Sequence, residues 1–456
     1  MFRSFRSAVA EARQHGDLYF AALLPQDRIE KALGRARWLW QGWVYTPAVT
    51  VWVFLAQCLS PDHSCREAVA RLIAWRVAGG QKPCSADTGA YCAARNDLPE
   101  EALHALLRDT GQQIEDQSPA GWCWHGRNVR VVDGSTITMP DTPENQAVYP
   151  QMKAQSPGCG FPIARILVVF SLSVGTVLEA AIGKYKGKQT GENSLFRQLY
   201  HVLVEGDIIL ADRYFSGWCD IALPLQRGID VVIRKHQLRR TDFREGKRLG
   251  KEDHLVIWTR PPRPKWMSAE QYATLPEEVT LREVRIRVAP KGFRTKTIVV
   301  VTTLFDAQQY PAEDIALLYR RRWQAELHLR SIKVVLQMDH LRCKTPHRVH
   351  NEFYMHLVGY NLLRGVVAVA AYESGKSPWE ISFKGALQTL SQFLPLLLAR
   401  VATEMWCQAL LTAVATHAIG NRPGRFEPRR LKRPQKPYGL LQKHRHLYTI
   451  RDEKTS

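Results

Sequence analysis

The stretch NVRVVDGSTITM, residues 128–139, sets Val129, Arg130, Val131 and Val132 before Asp133, and follows the acid with Gly134, Ser135 and Thr136. A short run of β-branched residues that closes on an acid and a glycine reads as a strand leaving a sheet with a carboxylate at its edge. The pattern recurs in DIILADRYF, 207–215, where the apolar run ends on Asp212 before Arg213, Tyr214 and Phe215. Between them, ARILVVFSLSVGTVLEAAIGKY (164–185) reads as two strands joined by a turn, and ENSLFRQLYHVLVEG (192–206) as a helix. A second helix, DVVIRKH (230–236) and KTIVVVTTL (296–304) continue the series. Strands followed by alternating strands and helices predict an α/β fold with a mixed sheet covered by helices.

Outward from this core the texture changes. Residues 1–125 read as a separate helical N-terminal domain, with apolar runs in PAVTVWVFLAQCLS (47–60) and CREAVARLIAWRVAGG (65–80) punctuated by Pro47, Pro61, Gly79 and Gly80. Residues 126–235 form the first part of the core. Residues 236–290 are polar, basic and Pro-bearing, with alternating pieces such as HLVIWTR, and read as a β-rich insertion before the core resumes over 291–345. Helices return over 346–420, and 421–456 is a basic tail. No internal repeat is evident.

The chain has 456 residues, of which 45% are apolar, as in a folded globular protein. Its 63 Lys and Arg against 43 Asp and Glu give a formal charge of +20, which favours a polyanionic partner because neutralising phosphates releases condensed counterions. A membrane partner is disfavoured: the apolar stretch Phe161 to Gly183 contains Arg165 and Glu179 and is broken by a turn. Nine cysteines, an odd number without a C-x-x-C pair, argue against a disulfide framework and a zinc ribbon and for a reducing cytosol. The Arg-bearing N-terminus is interrupted by Glu11 and Asp17 and reads as a first helix, not a transit peptide.

A third stretch carries charge in an unusual arrangement. In LYRRRWQAELHLRSIK, 318–333, residues Tyr319, Arg322, Glu326 and Lys333 fall on an ideal helix within an arc of about 60°. An exposed helix with ordinary ion pairs is one reading. A surface that holds a metal ion and a phosphate together is the other. Asp133 and Asp212 have a similar pair of readings, since strand-ending acids also start turns and cap helices. Together with Glu326 they could close around one or two Mg2+ ions, which prefer oxygen ligands.

Here the sequence resembles a known family. Asp133 in VVDGST, Asp212 in LADRYF, and Tyr319-x2-Arg322-x3-Glu326-x6-Lys333 resemble the DDE triad and Y-R-E-K signature of insertion-sequence transposases of the IS-four family. The resemblance spans about 125 to 350 and includes a β insertion before the Glu. It implies an RNase H-like core that binds terminal inverted repeats and performs metal-dependent DNA cutting and strand transfer, cut-and-paste, in a homodimer on double-stranded DNA. Asp133, Asp212 and Glu326 would be the catalytic metal ligands, for Mg2+ with Mn2+ as substitute. Tyr319, Arg322 and Lys333, with Arg213, would hold DNA. The implied setting is the bacterial cytoplasm, in association with the nucleoid. Hairpin-forming relatives place a Trp before the Glu helix to stack on a flipped base; this chain has Lys296, Thr297, Ile298 and Val299 there, which leaves Trp258 or Trp266 to take over or the hairpin route unused.

Lys184, Lys186 and Lys188 of GKYKGKQTGENS read equally as a grip on DNA backbone or a solvated charge run, and the basic stretch RKHQLRRTDFREGKRLGK is the better candidate for backbone contacts. His347 and His350 read as surface residues without a third ligand. Asp141, Glu144 and Asp207 are rival acids, and Asp207 stands at the wrong end of its strand. The rival functions are a nuclease of the same fold that does not join ends, and a transposase-derived DNA-binding protein without catalysis.

Overall fold

The computed structural model describes residues 2–15, 20–34, 43–152, 154–287, 297–397, 402–419 and 447. The basic tail over 421–456 and Lys296 therefore lie outside the described residues, apart from Leu447. The chain divides into two compact units, one of residues 1–128, 168–180 and 324–419, the other of 129–167, 181–323 and 420–456.

The first unit is helical and organised on one element, the helix Pro346–Glu373. Pro346 at its first turn and Thr345 before it mark its start, and 21 of its residues are buried. It is long and apolar enough to cross a membrane, but its whole apolar window is buried within the unit. Helices Glu100–Asp116, Pro47–Leu59, Phe383–Phe393 and Thr403–Thr416 pack on it. The helical regions on either side of the core in sequence, 1–125 and 346–420, thus form a single unit. Polar side chains fix how it docks on the hairpin turn included in it. Asn361 donates to Val177 O (2.8 Å) and accepts from Val177 N (2.7 Å), acting as a neighbouring strand would. Gly111 lies so close that an added Cβ would stand 2.1 Å from Val177 O. Only glycine allows this approach.

Burial in this unit has a consequence for pH. The His63 and His356 rings lie 5.6 Å apart, tilted by 43°, and His356 Nδ1 is buried with no hydrogen-bond partner among the described residues. Burial first, then the His63 and Arg342 charges, pushes His356 down to about 3. Burial and Arg342, opposed by Asp62, push His63 down to about 4. Both lie below the unfolded value of about 6.5, so their contribution is complete above that pH and is lost as pH falls toward the folded values. At pH 5, His356 alone should cost about 2 kcal/mol. A urea midpoint that drops between pH 7 and pH 5, and drops less in His356→Gln, is the expected result. Equal slopes in the two proteins would refute it.

The second unit is built on the sheet. Its strands are β1 (Val129–Thr138), β2 (Ile163–Ser171), β3 (Val177–Lys184), β4 (Ile208–Ala211), β5 (Asp230–Arg234), β6 (Lys247–Gly250), β7 (Asp253–Thr259), β8 (Glu278–Arg287) and β9 (Thr297–Thr302). They run in the order β3-β2-β1-β4-β5-β9-β8-β7-β6. β1, β4 and β5 are parallel, and β9, β8, β7 and β6 continue from β5 antiparallel. The order 3-2-1-4-5 with a parallel centre is the RNase H-like arrangement implied by the resemblance. The central strands are buried on both faces, which is why they read as unbroken Val/Ile/Leu runs. The strands of 236–290 extend this same sheet: β8 pairs with β9 from Arg282↔Thr302 to Arg287↔Thr297.

Candidate active site

Charge gathers where the parallel pairing of β1, β4 and β5 ends; β4 and β5 stop there, whereas β1 runs on through Asp133 to Thr138, so Asp133 lies inside its strand and does not close it as the sequence led one to expect. Val131 pairs with Leu210, and two residues further along each strand stand Asp133 and Asp212. The next pair of strands matches Ala211 with Ile233, so Asp212 is level with Arg234. Side chains at the same level of parallel neighbours lie on one face, with strands about 4.8 Å apart. Asp133, Asp212 and Arg234 therefore form a row across the ends of β4 and β5 and the middle of β1. Both acids are half-buried and each is oriented by a backbone amide: Gly134 N donates to Asp133 Oδ1 (3.0 Å) and Tyr214 N to Asp212 Oδ1 (2.7 Å). Asp212 is thus the N-cap of the short turn Arg213–Phe215. Asp207, at the opposite end of β4, is 1% exposed and pairs with Arg130 at 2.9 Å.

The helix Ala312–Arg321 packs on β5 and β8 and carries Tyr319 to this row. Tyr319 is 8% exposed. Burial pushes its phenol up to about 12, against the pull of Arg322 and Arg234, with Asp212 raising it further; Arg322 donates to its oxygen. These effects place Tyr319, Arg322, Arg234 and Asp212 in one electrostatic neighbourhood. Arg234 was not among the residues singled out in sequence, although it ends its strand as Asp212 does.

The signature helix is not continuous. Arg322 N bonds Tyr319 O, three residues back, at 3.1 Å, and a second helix, Trp323–Arg330, begins after it. A π-turn then covers Ser331–Val335, closed by Leu336 N on Ser331 O at 3.0 Å. The ideal rotation of about 100° per residue does not apply across these breaks. Glu326 and Lys333 stand on the later segments, in the first unit, both half-buried. Burial, opposed by Asp339, holds the Lys333 ammonium below its ordinary value.

A further pair joins the row. Glu192 opens the helix Glu192–Gln198, and Arg165 on β2 donates to its Oε1 at 3.0 Å. Burial raises the Glu192 carboxyl, Arg165 opposes this, and Asp212 raises it further. Arg213 is exposed and donates to Gln237 Oε1 at 2.8 Å. Lys184, Lys186 and Lys188 are exposed. Trp258 is placed differently from a base-stacking platform: it is 7% exposed on β7, accepts at its carbonyl from Trp218 Nε1 (2.8 Å), and has Arg239 over its ring at 3.9 Å. It is a packing residue. Trp266 is covered by Arg197 at 3.5 Å. His350 pairs with Glu100 at 2.7 Å.

Two half-buried carboxylates side by side are a donor set for a hard divalent cation. Among the described residues, no group of three or more His, Cys, Asp and Glu side chains is arranged to hold a metal.

The chain is similar to known proteins in sequence. Residues 124–362 match the family described as the Transposase DDE domain. Over 343 residues the chain is 30% identical to the transposase InsG for insertion sequence element IS4 of Escherichia coli (strain K12), covering 73% of this chain and 72% of that protein. The cryo-EM structure of the piggyBac transposase synaptic complex with hairpin DNA superposes with a TM-score of 0.43 at 11% identity, over 90% of this chain and 86% of that one. With more than half of its residues in the matched domain and this identity over nearly three quarters of its length, the chain belongs to the IS-four family of DDE transposases, enzymes that act on DNA with divalent metal.

Proposed function

We propose that the protein binds the terminal inverted repeats of an insertion sequence, cuts them free and joins them to target DNA by a cut-and-paste route that uses Mg2+, with Mn2+ as substitute. The observation that carries this is the row Asp133, Asp212 and Arg234, backed by Tyr319 and Arg322: acids for a cation beside donors for a phosphate. Asp133 and Asp212, with Glu326 by its place in the signature, would hold the ion. Bound there, it would activate the attacking water or 3′ hydroxyl and stabilise the leaving oxygen. Arg322 and Arg234 would grip the phosphate as forks and Lys333 as a point charge, and the Tyr319 phenol stays protonated as a donor.

Arg213 and the exposed lysines 184, 186 and 188 would follow the DNA backbone. Trp258 takes no part in this route. The N-terminal helices would bind the DNA ends, and those over 346–420 would support a homodimer on DNA in the bacterial cytoplasm at the nucleoid. The rival nuclease and binding-protein readings share the acids and differ in outcome.

The test is cleavage and joining of labelled DNA carrying the element's flanking repeats, in Mg2+ or EDTA, by wild type and Glu326→Gln. Metal-dependent cutting and joining that is lost in the variant, with DNA binding kept, is expected. Cutting without joining would favour the nuclease, and repeat-specific binding without nicking the inactive protein. A Glu326→Gln variant as active as wild type would overturn the role given to Glu326.

A further inference from the structure

We infer that Glu192 is a further positioning residue of the reaction centre, one that acts on the divalent ion beside Asp133 and Asp212. The inference rests on the proposed metal-dependent reading. It starts from the backbone at Gly134, immediately after Asp133. A Cβ added there would lie 2.6 Å from Glu192 Cδ and 2.8 Å from Oε1. The Glu192 carboxyl is therefore seated directly over β1 beside Asp133, in the space a side chain at position 134 would fill.

Glu192 is held in this place. Arg165 on β2 donates to Oε1, and the same guanidinium lies 5.1 Å from the Tyr185 ring. The neighbouring Asn193 donates to Tyr214 O at 3.0 Å, two residues beyond Asp212. The start of this helix is thus fastened both to the strand beside β1 and to the turn that carries Asp212. Among the described residues Arg165 is the hydrogen-bond partner of the carboxylate, through one oxygen. A third acid near Asp133 and Asp212 raises the local negative potential and so favours a bound cation, while Arg165 limits the repulsion when the ion is absent.

Binding of Mn2+ to the full-length protein, followed by the electron paramagnetic resonance signal of free Mn2+, tests this without reference to turnover. Glu192→Gln keeps the shape and can still accept from Arg165. It should weaken Mn2+ binding about tenfold, as groups that orient a metal site do, shift the Mn2+ dependence of nicking to the same extent, and leave thermal melting and metal-free DNA binding unchanged. Glu192→Asp should recover part of the affinity. Asp212→Asn separates the two readings. If it abolishes Mn2+ binding while Glu192→Gln binds as wild type does, the role of Glu192 is refuted and the metal reading stands. If wild type and Asp212→Asn bind Mn2+ alike, the metal reading itself falls. If Glu192→Gln melts lower and its loss is not recovered by Glu192→Asp, the pair is structural and the inference is overturned.

Discussion

Replacing Asp212 with Asn is expected to slow DNA nicking by at least about 10^3-fold, because a metal-held transition state loses several kcal/mol of charge stabilisation. The substitution is chosen for what it leaves intact. Asn retains the oxygen that accepts from Tyr214 N at 2.7 Å, so the turn after β4 keeps its cap. What disappears is one negative charge in the row Asp133, Asp212, Arg234. Arg322 and Arg234, the proposed phosphate donors, remain, and their field then has one acid fewer to balance it, so DNA should bind as well as before or slightly better. Single-turnover nicking under saturating protein, with melting and gel-shift measurements in parallel, separates these effects. Fast nicking by a folded, DNA-bound variant would show that Asp212 is only the cap of its turn, which is the other reading of a strand-ending acid.

That ambiguity shows what could be read from sequence and what could not. Asp133 and Asp212 were legible because a buried parallel strand is a run of apolar residues and an acid that closes the run is conspicuous, although only β4 ends there and β1 continues past Asp133 to Thr138. Arg234 ends DVVIRKH in the same way, but its place beside Asp212 depends on the register of β4 and β5, which no local pattern encodes. Glu192 and Arg165 were hidden for the same reason: about 60 residues of chain separate Glu192 from Asp133, and only the folded hairpin and helix bring them together. The spacing of Tyr319, Arg322, Glu326 and Lys333 pointed to a helical face, yet the three-residue bond at Arg322 and the π-turn at Ser331–Val335 change the phase that an ideal helix would have. The strands of 236–290 were visible as alternating residues, whereas their continuation of the central sheet depends on pairing with β9. In the helix Pro346–Glu373 apolar residues surround the axis, so periodicity identified its core character and gave no face from which to deduce its neighbours.

The largest loss of stability should come from Arg282, a residue that looks unremarkable in the alternating stretch VTLREVRIRVAP. It is fully buried on β8. Its Nε and Nη2 donate to the two oxygens of Asp253 on β7, at 2.8 and 2.6 Å, and its Nη1 donates to Leu304 O and Tyr310 O, at 3.2 and 2.8 Å. The guanidinium thus ties the added strands to the segment that leads from β9 into the helix of Tyr319. Arg282→Met leaves the Asp253 carboxylate buried without its counter-charge and removes a donor from both carbonyls, and should cost about 3–5 kcal/mol. The cost belongs to the stranded charge more than to the pair, because taking both ions out of water offsets much of their attraction. Arg282→Met combined with Asp253→Leu should therefore be more stable than Arg282→Met alone. Denaturant midpoints for the two singles and the double decide this. A double mutant as unstable as the sum of its singles would show that the two residues act independently, and that the carbonyls of Leu304 and Tyr310, not Asp253, are what Arg282 serves.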